Sequence, residues 1–419
     1  MNKFVRCLYC LLLYTFILPS GTILGLPIKA IISVLLIIAL FLEKVELDRI
    51  TFSFLISLLF VGLWSIISVV NGYNTYLSFI KNYFSFIFVI WISYYLVNHH
   101  IIKINQVIKI LNHIVIINII LKILTFIFLV IGLLKIDFLV DLYKNILNTP
   151  LTTMYFNIGN IMFYRIMLPN DQIAFVWLSF ILISQKSIKN KIFNLIIMAI
   201  YTFIIYSRLY FVEFILIILI YLLIAVQNNK FKKNGILVFS FFSFFLLIFV
   251  FILLNFEQLE FNYLNALFSR FNSNSSVESD NIRIEQFNFF MSEINNSIFI
   301  GRGTGAYLKN YLRSDVIKYS YELEYLSFIY QFGIIGFIPI ILVPIIVFWK
   351  LALKNITISS VRSILIFNLI VWCIKPFFNP SFLSSNSGLL IVAIILYGSY
   401  SQLIYSDISK FNYNFKLSN

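Results

Sequence analysis

The sequence predicts an all-α, polytopic integral membrane protein. Three observations carry that expectation. Hydrophobic residues make up 61% of the chain and charged residues only 11%; apolar runs long enough to cross a bilayer recur along it; and Lys and Arg cluster between every second pair of those runs. Ordinary soluble domains do not have such a composition. Ile23–Leu42, Ile50–Val70, Leu77–Val97 and His113–Leu134 are each about 20 residues long, enough helix to cross roughly 30 Å of hydrocarbon. Lipid offers the backbone no hydrogen-bond partners, so spans of this kind form helices that satisfy themselves.

Taken in order, the clear spans are 23–42, 50–70, 77–97, 113–134, 209–226, 235–254 and 388–405, with shorter or interrupted ones at 5–18, 171–185, 192–206, 325–349 and 363–378. That makes about twelve transmembrane helices by length and apolarity. Lys3 and Arg6 ahead of the first apolar stretch imitate a signal peptide, but no small-x-small cleavage site follows, so the span is read as retained. The segments read as N-terminal bundle 1–134 (about five helices), first long outer loop 135–170, central helices 171–254, second long outer loop 255–322, C-terminal helices 323–405 and tail 406–419.

Orientation follows from the basic residues. Lys3/Arg6, Lys103/Lys109, Lys186/Lys189/Lys191, Lys230/Lys232/Lys233, Lys350/Lys354/Arg362 and Lys410/Lys416 all fall on one side of the alternation. The positive-inside rule makes that side cytoplasmic and puts both termini there. The net charge of +14 is then a topology and anionic-lipid signal; with no soluble basic domain, a nucleic-acid partner is excluded. The inner loops are too short to hold a nucleotide-hydrolysing domain. The chemistry is therefore expected in or above the outer leaflet, where loop 255–322 gathers Arg270, Arg283, Arg302, Arg313, Glu322 and several other carboxylates. In that loop Asn272–Asp280 reads as a flexible polar tract, and Ile282, Phe287, Phe290, Met291 and Ile294 mark an amphipathic helix on the membrane surface.

Arg283 heads the helix 284–294, which leads into Gly301-Arg-Gly303-Thr-Gly305 and then Glu322-Leu-Glu324 ahead of Gly333-Ile-Ile-Gly336. Ser207-Arg208 occupies a tight turn between two spans, and Asn379-Pro380 through Gly388 forms a late outer loop. This order resembles the O-antigen ligase and polymerase superfamily of bacterial envelope glycosyltransferases, over the whole topology but through short, degenerate motifs. The resemblance implies a GT-C-like fold in the bacterial cytoplasmic (inner) membrane. Ligases of the superfamily carry a His-Asn pair before the GxxG span. Here the three histidines, His99, His100 and His113, all map to the cytoplasmic side, and Glu322 and Glu324 stand at the anchor instead.

The departure favours a Wzy-type polymerase of O-antigen, capsule or another surface polysaccharide over a ligase. The resemblance then implies transfer of a growing glycan from undecaprenyl pyrophosphate onto a lipid-linked repeat unit. No cofactor, metal or nucleotide sugar is implied; membrane lipids and a chain-length regulator protein are the further partners. A flippase for the same lipid-linked glycan is the other class in play, disfavoured because no internal repeat is visible.

The residue types suit that reaction. A departing pyrophosphate needs fixed cations, and the arginine fork binds its oxygens bidentately at any pH. Arg208 and Arg283 are the catalytic candidates for that role, with Glu322 or Glu324 as base for the acceptor hydroxyl. Arg165, Arg270, Arg302, Lys375, Tyr321 and Tyr325 are candidate substrate-binding residues. Each has a bland alternative. Arg208 can anchor a helix end, Arg165 can lie in a helix lead-in capped by Asp171, and the tyrosines can form an interfacial belt. Lys122 and Glu213, within spans, are expected to pair with each other. Gly301-x-Gly303-x-Gly305 lacks the strand-to-helix context of a nucleotide loop and reads as a turn for close backbone approach. Cys7-x-x-Cys10 has no partner pair and indicates neither zinc nor redox chemistry.

Overall fold

The computed structural model describes residues 2–18, 20–42, 48–147, 152–158, 161–185, 187–227, 274–295, 297–313, 317–354, 356–377, 380 and 382–416. Among these, eight helices are long and apolar enough to cross a membrane, and two shorter apolar helices accompany them. The chain is an all-α polytopic membrane protein. The span expected at 235–254 and the candidate Arg270 lie outside the described residues.

Helices α1 (Asn2–Tyr14), α2 (Ile28–Leu42), α3 (Arg49–Val70), α4 (Tyr76–Asn98) and α5 (Ile104–Val130) form the first half. α5 starts nine residues before the expected span, so His113 sits within the helix, and the Tyr14 hydroxyl lies 3.3 Å from its Nδ1. A short helix, α6 (Ile136–Asp141), follows. Next comes an antiparallel hairpin of β1 (Thr152–Ile158) and β2 (Ile161–Met167), with Met154 opposite Arg165. The loop reading of 135–170 missed this hairpin. Its signal was two runs rich in Thr, Ile, Phe and Tyr either side of Gly159-Asn160.

Helices α7 (Gln172–Ser184), α8 (Ile188–Ile205) and α9 (Arg208–Gln227) continue the bundle, and α10 (Asn274–Ile294) crosses the second long loop. α10 begins at Asn274, inside the tract expected to be flexible. Once 281–294 is packed, each further residue adds a hydrogen bond, and this outweighs the small propensity penalties of Ser, Asn and Asp. The last elements are α11 (Glu324–Phe337), α12 (Val343–Leu353), α13 (Ser359–Ile374) and α14 (Ser385–Lys416). α14 packs against α4, α5, α7 and α13. Gly388 allows the contact with α4, because a Cβ there would stand 2.6 Å from the Phe86 carbonyl oxygen. In lipid, small residues at helix interfaces are what permit such close packing.

One segment enters the bundle without being a helix. α11 is broken at Gly333, whose φ of 61° and ψ of −176° abandon the helical ladder. The break strands backbone groups well below the helix start, and residues 298–303 satisfy them. Arg302 N donates to the Tyr330 carbonyl at 2.9 Å and Gly303 N to that of Gln331 at 2.8 Å. Ile334 N and Ile335 N donate to the carbonyls of Ile298 (2.9 Å) and Phe299 (3.0 Å). The Trp64 indole N–H on α3 takes the two remaining carbonyls, of Ile300 at 2.8 Å and Phe332 at 2.9 Å. Irregular backbone at membrane depth persists only when protein partners satisfy it in this way.

The glycine turn read from sequence is what docks here. Gly301, Gly303 and Gly305 all have positive φ, and Gly303 lies against the backbone of Ser68, where a Cβ would approach to 2.2 Å. Ser65 and Ser68 then hold Thr304 through its hydroxyl and carbonyl, at 2.8 Å each.

Candidate functional site

Contacts between Leu24 and Ile146, Asn71 and Arg302, Thr75 and Gly305, Arg165 and Ile205, Lys29 and Ser385, and Glu324 and Phe382 join helix ends at one end of the bundle, called here the loop end. Charged side chains converge there from separate helices.

Asp171, between β2 and α7, is the anchor. One carboxylate oxygen pairs with the Lys122 ammonium from α5 and also takes the Tyr201 hydroxyl of α8 at 2.8 Å. The other accepts Leu168 N at 2.8 Å. Asp171 makes no capping bond to α7; it ties the hairpin exit to two other helices. The expected Lys122–Glu213 pair is thereby corrected, since Asp171 arrives at Lys122 first by way of the hairpin. Asp171→Asn is expected to cost about 3 kcal/mol by leaving a buried ammonium without its counter-charge. The thermal midpoint of the detergent-solubilised protein measures this, and a Lys122→Met, Asp171→Leu double variant should regain most of the loss.

Arg165 follows from the same hairpin. It is buried, its Nε donating to the Ile205 carbonyl at 3.2 Å and its Nη2 lying 3.0 Å from Met167 Sδ. A guanidinium on the last carbonyl of α8 is favourable at the negative end of a helix dipole. There it braces the turn at Tyr206, a left-handed residue with φ of 48°, and Ser207. Arg165 therefore holds the turn from which Arg208 projects.

Arg208 opens α9 and is only partly buried. Among the described residues its side chain has neither a hydrogen bond nor an ion pair. A cation with no counter-charge at the positive end of a helix is an arrangement that an anion would stabilise. Two further groups at this end are buried and similarly unsatisfied. Glu213 on α9 is 2% exposed, with no hydrogen bond to either carboxylate oxygen among the described residues. Lys375, just past α13, lies over the Tyr210 ring at 5.9 Å and within electrostatic reach of Glu213, Asp171 and Glu324, without an ion pair to any of them among the described residues.

The two anchor glutamates part company. Glu324, buried at the start of α11, accepts Phe382 N at 2.9 Å and faces Lys375. Glu322 turns the other way, to α10, between Arg283 Nε at 2.9 Å and Arg313 Nη2 at 3.1 Å. The Arg283 contact is an ion pair by distance but is not aligned as a hydrogen bond. Gln286 Oε1 accepts Glu322 N at 3.0 Å and completes the α10 contact. Arg302 stands further along, its Nη2 3.9 Å from Glu293.

The two candidate substrate-binding tyrosines, Tyr321 and Tyr325, both make contacts within the protein. Tyr321 is wholly enclosed against Phe290. Its hydroxyl accepts Leu308 N at 2.8 Å and donates to the Tyr311 carbonyl at 3.1 Å. Burial pushes that hydroxyl up from its ordinary pKa, so it remains a donor at neutral pH. Tyr325 donates to the Cys373 carbonyl at 2.8 Å and packs on Phe377 and Phe382. Both hydroxyls are thus engaged within the protein, and both rings pack against neighbouring aromatics.

The loop end thus gathers Arg165, Arg208, Lys375 and Glu324, and sets Arg283, Glu322 and Arg302 around α10. Residues 193–341 match the O-antigen ligase family model. The match covers just over a third of the chain, from α8 through the Ser207-Arg208 turn, α9, α10 and the glycine turn into the broken α11. The superfamily resemblance of the motifs is supported over the segment that carries most of them. Neither the curated proteins nor the solved structures hold a match to the chain. Arg208, Arg283, Glu322 and Glu324 lie inside the matched segment; Lys122, Arg165, Asp171 and Lys375 reach the same end from outside it. The sequence put Asp171 in view as a helix cap, but gave no means of pairing it with Lys122. Tyr201 and Tyr210 gave no signal beyond ordinary span aromatics.

Proposed function

We propose that the protein is a polysaccharide polymerase of the bacterial cytoplasmic membrane. It transfers a growing glycan from undecaprenyl pyrophosphate onto a lipid-linked repeat unit, with the loop end at the outer leaflet and both termini in the cytoplasm. The observation that carries the reading is Arg208, a guanidinium without a partner among the described residues, at the start of a membrane helix, within the segment that matches the O-antigen ligase family, and at the same end as Lys375, which has no ion pair among those residues either. A polyprenyl donor keeps its lipid in the bilayer and brings its pyrophosphate to headgroup level, where cations at helix ends stabilise the charge that builds on the leaving oxygen. The same groups suit a ligase, which uses the same donor.

What favours polymerase over ligase is the histidine placement. His99 and His100 follow α4, which runs for 23 residues from the loop end, so they stand about 33 Å away along its axis. His113 lies nine residues before Lys122 on α5, about 14 Å along the helix.

A polysaccharide gel from a strain lacking the gene tests this. Surface glycan cut to a single repeat unit per acceptor is the expected result. Polymer stranded on its lipid carrier would identify a ligase, and lipid-linked units trapped inside the cell a flippase. Arg283→Ala is expected to shorten or abolish chain extension, and Glu322→Gln to reproduce much of that loss, since Glu322 holds the Arg283 guanidinium in place. A normal ladder from both variants would remove α10 from the site.

A further inference from the structure

The carboxylates that sequence order nominates as base are already engaged. Glu322 sits between two guanidiniums and Glu324 on a backbone amide, while Asp171 carries Lys122, Tyr201 and Leu168 N. A base needs a free lone pair within hydrogen-bond reach of the proton it takes. Among the described residues neither Glu213 oxygen has a hydrogen-bond partner; Glu213 is 2% exposed and lies within electrostatic reach of Lys375, which has no ion pair there either. A buried carboxyl group and a buried amine held apart each carry a burial cost that no direct partner offsets. That cost falls when a ligand donates a hydroxyl hydrogen to the carboxylate and presents an anionic oxygen to the ammonium.

We propose that Glu213 is the proton acceptor of the transfer step, with Lys375 and Arg208 on the pyrophosphate side. The inference rests on the polymerase reading above. The acceptor hydroxyl oxygen forms its bond to the anomeric carbon, and the bond from that carbon to the pyrophosphate oxygen breaks, its electron pair leaving with the pyrophosphate. The hydroxyl proton passes to a Glu213 carboxylate oxygen.

The test uses full-length protein in liposomes, supplied with lipid-linked repeat unit extracted from the strain lacking the gene. Glu213→Gln keeps the shape and removes the base. It is expected to lower kcat by roughly 10²–10⁴-fold with KM within about threefold of wild type. Glu213→Asp keeps the charge but withdraws it by one methylene. It is expected to lose at least about tenfold in kcat, because a misplaced base works poorly, and it decides the matter if the Gln variant fails to insert. Wild-type kcat in either inserted variant overturns the proposal. So does a loss confined to KM, which would make Glu213 a mere counter-charge for Lys375. Failure of the wild-type protein to extend the unit would instead overturn the polymerase reading on which the proposal stands.

Discussion

Arg208→Ala is expected to abolish chain extension in the polysaccharide gel while the protein reaches the membrane at its normal level. The two halves of that result have separate causes. Among the described residues the Arg208 side chain has no hydrogen-bond or ion-pair partner, so its removal breaks nothing that folding depends on. Substitutions of that kind usually change stability by no more than about 0.5 kcal/mol. Catalysis is different: removing one fixed group that stabilises transition-state charge typically costs 10²–10³-fold in rate, about 3–4 kcal/mol. Arg208→Lys should recover little, since an ammonium is a point charge and cannot present two parallel N–H donors to a phosphate. An Ala variant with a normal ladder would leave the loop end without its principal anion-binding group, and the polymerase reading would fall with it.

Gly303→Ala is expected to have the largest effect on the fold itself. The added Cβ would lie 2.2 Å from Ser68 N and 2.4 Å from its Cα, both backbone atoms that cannot swing aside. Gly303 also has a φ of 101°, outside the conformations a side chain tolerates cheaply. Strain and overpacking together come to about 3–5 kcal/mol, a large share of an ordinary folding stability. The damage would spread, because Gly303 N is the donor that satisfies the Gln331 carbonyl at the break in α11. A sharp fall in thermal midpoint and new protease cleavage near residues 297–305 are the expected readouts. A wild-type midpoint would mean that the turn does not dock against α3 as described.

These predictions separate what one dimension could reveal from what it could not. The spans were legible because a bilayer demands about 20 apolar residues per helix. The glycine turn was legible as a close approach because three glycines at alternate positions have few other uses. Its docking site was not, since nothing in residues 301–305 specifies Ser68 or Trp64, more than 230 positions away.

The charged site divides the same way. Sequence alone determined the class of molecule, the end of the bundle where polar residues gather, and the residue types suited to an anionic leaving group. Only the tertiary structure decided which of those residues are already spent. It gave Asp171 to Lys122, Glu322 to Arg283 and Arg313, and the Tyr321 hydroxyl to the backbone, leaving Arg208, Glu213 and Lys375 unpaired among the described residues. The physical reason is that pairing of buried charges depends on which helix ends meet, and those meetings are set by packing over the whole bundle rather than by spacing along the chain.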